Sequence, residues 1–391
     1  MRQQLQNTIG ILVLLSASTM IAAQGNSSTS AEIGDAPNAV INYQLEELAD
    51  ELNHPSSIAF LPSGDYLITE RNAGLTIVRD GKKIDVDNMP DIHIRQQAGL
   101  LDVTLHPAFS INQLIYFSYS HGDSKENGTR LSRARLVVSE NGHKAELQDL
   151  EVLFTRMPMT DTSLHYGGRI AFLADGTLLL TLGEGFRYMD RAVQLDNHLG
   201  KVVRLNDDGS IPSDNPFVDT PGAQPEIFTY GHRNPQGLVI KPDGSILEHE
   251  HGPRGGDEIN LLQAGANYGW PSITYGINYS GEIISPFSQQ EGMQQSIVHY
   301  VPSIAPSGFT LYDGDLFPEW QGDLFVGGLM STHVRRIDLD ENGNFGKQEK
   351  LFTELKARIR DVRTGPDGAL YFVTDASEGK FYRVTPLSAN N

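Results

Sequence analysis

P-D-G-A-L-Y-F-V-T-D (366–375) couples a Gly-containing turn to a run of β-forming residues, and the pattern recurs along the chain. The same order is found in P-S-G-D-Y-L-I-T-E (62–70), N-Q-L-I-Y-F-S-Y (112–119), A-D-G-T-L-L-L-T-L-G (174–183), P-D-G-S-I-L-E-H (242–249) and W-Q-G-D-L-F-V-G-G (320–328). A tight polar turn feeding Leu, Ile, Tyr, Phe and Thr is a hairpin signal. The repeats fall at intervals of roughly 45–80 residues, whereas compact propeller blades repeat at about 40–50. The pattern predicts an all-β chain, a six-bladed β-propeller with long insertions. Loops from every blade would meet at one end of its central channel, so polar residues far apart in sequence could share a site.

Composition narrows the function classes. The chain has 391 residues, 39 of them Gly, which suits many tight turns. Arg2 is the only charge before the apolar run I-G-I-L-V-L-L-S-A-S-T-M-I-A-A (9–23). That run is short for a membrane span and ends in small residues, so 1–23 reads as a secretory signal peptide. The polar residues after it predict a disordered segment, 24–39, and the propeller domain is expected at 40–388. The protein would be periplasmic or secreted, without stable membrane insertion. Cysteine is absent, so neither disulfides nor a bacterial lipid anchor can contribute. A formal charge of −19 argues against a nucleic-acid partner and suits divalent cations.

Several segments carry chemistry. In E-H-E-H-G-P-R-G-G-D-E (248–258), His249 and His251 would share one strand face, a possible metal pair without a third ligand nearby. The Gly/Pro loop after them leaves carbonyls free, and Asp257 and Glu258 add carboxylates, a hard-cation donor set. A structural turn with a buried ion pair is the alternative. His165 and Glu184 would lie at one end of a hairpin, as a base and its carboxylate, or as separate surface groups. Pro235 forces Asn234 out of the α region and could aim Arg233 and Asn234 into the channel. Arg358 and Arg360 share a strand face and need an anion between them, or separate partners such as Asp361. D-L-D-E-N-G-N-F-G-K-Q-E (338–349) matches an EF-hand loop, but its first flank alternates like a strand, so a hairpin is the better reading.

Taken together, residues 52–386 resemble the soluble dehydrogenases that use pyrroloquinoline quinone (PQQ), in their aldose sugar dehydrogenase branch. The resemblance is carried by Q-A-G-L-L-D-V-T-L-H-P-A-F (97–109), H-Y-G-G-R-I-A-F (165–172), Y-G-H-R-N-P-Q-G-L (230–238), E-H-G-P-R-G-G-D-E-I-N (250–260), A-N-Y-G-W-P (266–271), Y-G-I-N-Y-S-G (275–281) and R-I-R-D-V-R-T-G-P-D-G (358–368). It implies oxidation of aldoses at the anomeric carbon to lactones, with hydride passing to the quinone and electrons to an unidentified acceptor. By the same resemblance His165 is the base, Glu184 holds it, and Arg233 stabilises the developing oxyanion. Gln97, Arg233, Asn234, Arg358 and Arg360 would contact the quinone. The carbonyls of Gly252 and Pro253 would bind a calcium ion shared with the quinone. Glu258 and the Tyr268 carbonyl would bind a second, structural calcium. Met330 falls near the place of a lysine that binds the quinone in the best-known members. Glu184 is expected to raise the pKa of His165 and place the optimum at neutral to alkaline pH. The competing readings are a calcium-dependent propeller hydrolase or lactonase without quinone, and a non-catalytic glycan-binding propeller.

Overall fold

Each quoted repeat is the turn between the first and second strands of an antiparallel meander, together with that second strand. Five of the turns place a glycine in the left-handed region, at Gly64, Gly176, Gly244, Gly322 and Gly368. In N-Q-L-I-Y-F-S-Y, Gln113 takes that conformation instead, at φ 58°. Glycine is thus the cheap solution to this turn but not an obligatory one.

The computed structural model describes residues 30–340 and 344–387. It is nearly all β. Meanders form four-stranded sheets at 167–230 and 306–351. Another meander, at 235–300, gains a fifth strand. An eight-stranded sheet is two meanders, 55–87 and 100–155, joined where Lys82–Asp87 runs parallel to Ala145–Thr155. In the last sheet, Tyr43–Leu52 from the beginning of the chain pairs antiparallel with Gly379–Pro386 from its end. Hydrogen bonding between the two segments closes the arrangement, with Tyr43–Leu52 as the edge strand of the last sheet.

The first strands of the meanders are Pro55–Phe60, Leu100–Leu105, Gly167–Phe172, Pro235–Ile240, Pro306–Leu311 and Ile359–Thr364. They contact one another in that order, and the last contacts the first. The sheets therefore radiate from a common axis. Apolar clusters fill the space between neighbouring sheets, as where Phe317 and Trp320 stack at 3.7 Å beside Phe325 and Tyr312. Every first strand carries a register shift near its start, at one end of the axis. Such bulges re-aim side chains.

One expectation changes and another holds. Residues 31–33, assigned from their polar surroundings to a disordered segment, pair in parallel with Val298–Tyr300, and Ala36 is buried. A polar composition does not prevent pairing when an exposed strand edge offers hydrogen-bonding partners. The EF-hand-like stretch is a hairpin, as its alternating flank predicts: Val334–Leu339 pairs antiparallel with Phe345–Leu351. Its residues 341–343 lie outside the described residues, as does the stretch read as a signal peptide. No helix among the described residues is long and apolar enough to cross a membrane.

Charged groups cross the axis. Arg169 Nη1 lies 3.3 Å from Asp102 Oδ1 and 3.6 Å from Asp361 Oδ1, and Arg363 lies 2.9 Å from Asp361 and 3.5 Å from Asp102. Asp102 also accepts from the Ser57 hydroxyl and the Ile170 N–H, Asp361 accepts from the Ile58 N–H, and Arg169 Nε donates to the Gln236 carbonyl. Five of the first strands are thereby tied together. Removing Asp102 leaves Arg169 and Arg363 sharing a single buried carboxylate, Asp361, and breaking a buried pair costs about 3–5 kcal/mol. Asp102→Ala should therefore lower the thermal and urea midpoints sharply. An unchanged urea midpoint would show that the network is not a stabilising tie.

Candidate active site

Of the residues singled out in the sequence, Gln97, His165, Arg233, Asn234, Arg358 and Arg360 lie at the bulged end of the axis, just before the first strands or at their start, whereas Glu184 follows the second strand Leu178–Leu182 and Glu258 lies in Asp257–Leu262. A cavity of about 550 Å³ there is walled by Gln97, Asn234, Arg358 and Arg360 from that set, joined by Arg71 and Asp375.

His165 precedes the strand Gly167–Phe172 in a left-handed conformation, φ 53°, and is 4% exposed. Its Nδ1 lies 2.8 Å from Glu184 Oε2. A carboxylate accepts, so the proton sits on Nδ1 and Nε2 is left as the basic nitrogen. Three contacts fix the ring's support: the His165 N–H donates to Gln97 Oε1 at 2.8 Å, the Gly167 N–H to Asn234 Oδ1 at 3.2 Å, and the Glu184 N–H to the Arg233 carbonyl at 3.0 Å. A Cβ on Gly183 would lie 2.2 Å from the His165 carbonyl, so the T-L-G-E turn can approach this closely only with glycine. His165, Glu184, Arg233, Asn234 and Gln97 are thus brought together as expected.

The electrostatics differ from expectation. Burial lowers the His165 pKa below its ordinary 6.5, with Arg233 acting in the same direction, and Glu184 opposes them without prevailing. The ring is neutral at pH 7 because it is dry, and the carboxylate partner moderates that effect.

Arg358 and Arg360 also meet an anion, but it is Asp375. Its Oδ2 lies 2.7 Å from Arg360 and 3.2 Å from Arg358, and its Oδ1 lies 2.8 Å from His54 Nδ1 and 3.5 Å from Arg71. Burial raises the Asp375 pKa, but Arg360, Arg71 and His54 outweigh it and hold the carboxyl well below the usual range. Asp361, the partner considered from sequence, belongs to the axial network instead. Arg360 is enclosed, whereas the Arg358 side chain is half exposed at the rim. Met330 is also exposed there, on the cavity wall. His54, Arg71 and Asp375 escaped the sequence reading, although Asp375 closes the last of the quoted repeats.

The candidate metal loop is partly committed. Arg233 Nη1 donates to the Gly252 carbonyl at 2.7 Å and to the His251 carbonyl at 3.1 Å, and its guanidinium lies 5.3 Å over Trp270. A Cβ on Gly252 would meet the Gly255–Gly256 backbone within 2.4 Å, so the loop folds tightly on itself. Asp257 is a clasp with little ligand capacity left. It accepts from the Gly252 N–H, the Ser303 hydroxyl and the Ile304 and Ala305 N–H groups, while burial pushes its pKa up to about 6. Glu258 faces Glu250 across the strand pair, and burial together with Glu250 raises its pKa well above the usual range. The Tyr268 ring stacks on His232 at 4.7 Å. His249 and His251 do not form a metal pair. His251 Nε2 lies 2.6 Å from the Pro306 carbonyl, and His249 packs against Phe309 at 4.8 Å, its pKa driven to about 3 by burial.

Because Glu184 supports the proton on His165, Glu184→Gln should lower the imidazole pKa further. Ring titration by nitrogen NMR should place the wild-type midpoint below 6.5 and the variant's lower still. A variant midpoint above wild type would reverse the assigned electrostatics.

With the site's geometry in hand, comparison with known proteins is informative. The family model described as "Glucose / Sorbosone dehydrogenase" matches residues 52–383. The aldose sugar dehydrogenase YliI of Escherichia coli K12 is 42% identical over 360 residues, covering 90% of this chain and 94% of its own. Quinoprotein glucose dehydrogenase B of Acinetobacter calcoaceticus is 27% identical over 415 residues, covering 86% of each chain. The crystal structure of the soluble Escherichia coli aldose sugar dehydrogenase in its apo-form superposes with a TM-score of 0.84 at 40% identity, covering 88% of this chain and 99% of its own. The chain belongs to the glucose/sorbosone dehydrogenase family.

Proposed function

We propose that this protein is an exported quinoprotein that oxidises aldoses at the anomeric carbon to lactones, using PQQ and calcium. The observation that carries the reading is the buried His165–Glu184 pair beside a cavity walled by arginines. The meanders are read as six blades, and the cavity as the mouth of their channel. The relatives' names support sugar oxidation and, for the Acinetobacter protein, a quinone.

The donor set fits a cofactor bearing several carboxylates. Arg71, Arg358 and Arg360 surround a single internal carboxylate, Asp375, and leave cationic capacity. Gln97 and Asn234 would add polar contacts, although each already accepts one backbone N–H. Calcium fits less directly. Gly252 and Pro253 offer carbonyls from a loop too tight for a side chain, but a cation at Gly252 requires Arg233 to release that carbonyl. Glu258 with the Tyr268 carbonyl would hold the structural calcium, and an ion there would offset the crowding of Glu258 against Glu250.

When bound, the quinone supplies a hydride acceptor polarised by calcium. His165 Nε2 takes the proton of the anomeric hydroxyl, and Glu184 stabilises the imidazolium that results. The anomeric C–H would supply the hydride, which carries both electrons lost by the sugar, while the proton leaves the hydroxyl oxygen for His165. Arg233 provides positive charge where the oxyanion develops. Enclosure keeps water from competing for the proton. An external electron acceptor completes turnover.

His165→Ala should reduce sugar oxidation by about 100- to 10,000-fold while leaving quinone affinity nearly intact. Activity within a few-fold of wild type would remove His165 as the base. Arg358→Ala should weaken quinone binding by about 10- to 150-fold, since a charge-assisted contact contributes roughly 1.5–3 kcal/mol. Arg358 is the cleaner probe, because substituting Arg360 would also leave Asp375 with one fewer buried partner. Titration of apo-protein in calcium, followed by fluorescence, measures both. Asp375 favours one second reading: it already neutralises part of the arginine cluster, as a quinone-free calcium-dependent hydrolase would need. Absence of quinone binding by the wild type, together with calcium-dependent lactone hydrolysis, would establish that reading instead.

A further inference from the structure

Beneath the Arg233–Asn234 turn lies a cluster that none of these assignments uses. His232, Glu248 and Glu250 bring Nδ1 and two carboxylate oxygens within 4.8 Å of one another, all buried. His232 Nδ1 is 3.1 Å from Glu250 Oε1 and 4.0 Å from Glu248 Oε2. Asn260, fully buried, reaches between the two carboxylates, its Nδ2 lying 3.0 Å from Glu248 Oε2 and 3.4 Å from Glu250 Oε1. The strand register explains this convergence. Glu248 pairs with Asn260 and Glu250 with Glu258, and alternation along the strands puts all four side chains on one face.

Two oxygens in this cluster have no partner: Glu248 Oε1 and Asn260 Oδ1 are both buried and unbonded. No lysine or arginine among the described residues forms an ion pair with Glu248, Glu250 or Glu258; His232 is the one basic group beside them. Adjacent buried carboxylates without a cation cannot all be ionised at low cost. Glu250 Oε2 is committed, since it accepts the Arg233 N–H at 2.5 Å and the Asn234 N–H at 3.3 Å. Its Oε1 faces the cluster. In the ion-free geometry His232 Nδ1–H donates to Glu250 Oε1 and the Thr229 hydroxyl, 2.9 Å away, donates to Nε2; an ion at Nδ1 would displace that proton, and Nε2–H would then donate to Thr229 Oγ1, the arrangement of an outer-sphere partner behind a metal-bound histidine.

We infer that His232 Nδ1, Glu248, Glu250 Oε1 and the Asn260 amide oxygen form a buried site for a divalent cation. A half-turn of the amide brings Oδ1 into the cluster in place of Nδ2. One imidazole nitrogen with two carboxylates and an amide oxygen suits manganese or zinc better than calcium, which takes an all-oxygen set. The ion would neutralise the cluster and hold, through Glu250, the turn that presents Arg233 and Asn234. The site is separate from the two calcium sites of the proposed function, because neither Gly252, Pro253 nor Glu258 is a ligand.

The test is metal binding by the full chain in excess calcium, so that any calcium sites stay filled. Manganese binding is followed by electron paramagnetic resonance, zinc by competition, and the metal retained on purification by elemental analysis. Wild type should bind one manganese or zinc ion per chain. The isosteric Glu248→Gln should weaken binding by at least ~10- to 100-fold, and Thr229→Val, which removes only the group behind His232, by about 10-fold or more. Glu282→Gln, at an exposed carboxylate outside every assigned site, should leave it within about twofold. Equal binding in wild type and Glu248→Gln would overturn the site. So would a wild type that binds neither metal while Glu248→Gln melts higher, the signature of a shared proton. None of these readouts uses quinone or sugar, so failure of the dehydrogenase reading would leave them unaffected.

Discussion

The structure depends on the charges that cross its axis. A ring of radiating sheets buries apolar side chains between neighbouring sheets, but its first strands converge where their side chains have only one another to face. Arg169, Arg363, Asp102 and Asp361 meet there, and Ser57, the Ile58 and Ile170 N–H groups and the Gln236 carbonyl add further hydrogen bonds. The pairs are close to neutral as a set. Hydrophobic replacements could match their stability, but they would not hold five strands in one register through directional contacts. Close approach reinforces this constraint: a Cβ on Gly308 would lie 2.3 Å from the Val362 nitrogen.

That rigidity is what allows a site to be assembled from distant segments. His165, Arg233 and Arg358 belong to turns that enter different sheets, and each turn ends in a bulged first strand. The left-handed His165 backbone costs of order 1–3 kcal/mol, a strain that persists only where the surroundings over-determine it. Here they do, through Gln97, Asn234 and the close passage of Gly183.

Much of this was legible in the sequence, and the exceptions share a cause. Turn chemistry is local, so the repeats at 62, 112, 174, 242, 320 and 366 identified the hairpins. Motif order brought His165, Glu184, Arg233 and Arg358 into one proposal. Partner choice was not legible, because it depends on which strand faces which across the axis. Asp361 is one residue from Arg360 in sequence, but alternation turns its side chain away. Asp375, fifteen residues on, is the actual partner. The acid–base balance at His165 was misjudged for a related reason. Sequence reveals a neighbouring carboxylate more readily than the depth of burial, and burial sets the sign. The His232–Glu248–Glu250 cluster was hidden because a turn supplies His232, one strand both glutamates and a second strand Asn260, with a spacing that matches no linear metal motif.

The cavity's arginines also bear on the charge of the whole chain. A formal charge of −19 repels an anionic ligand at long range, yet Arg71, Arg358 and Arg360 attract it at the mouth. At physiological salt the screening length is about 8 Å, so the general repulsion is muted at a distance, while the contacts inside the cavity, partly shielded from solvent, are less affected. A neutral sugar is indifferent to both fields. Binding of a carboxylate-bearing ligand and binding of a neutral substrate are therefore governed by different physics in the same cavity. On the proposed function, the first would be set by the arginines and Asp375, and the second by shape and by His165 beside the cavity, which burial keeps uncharged.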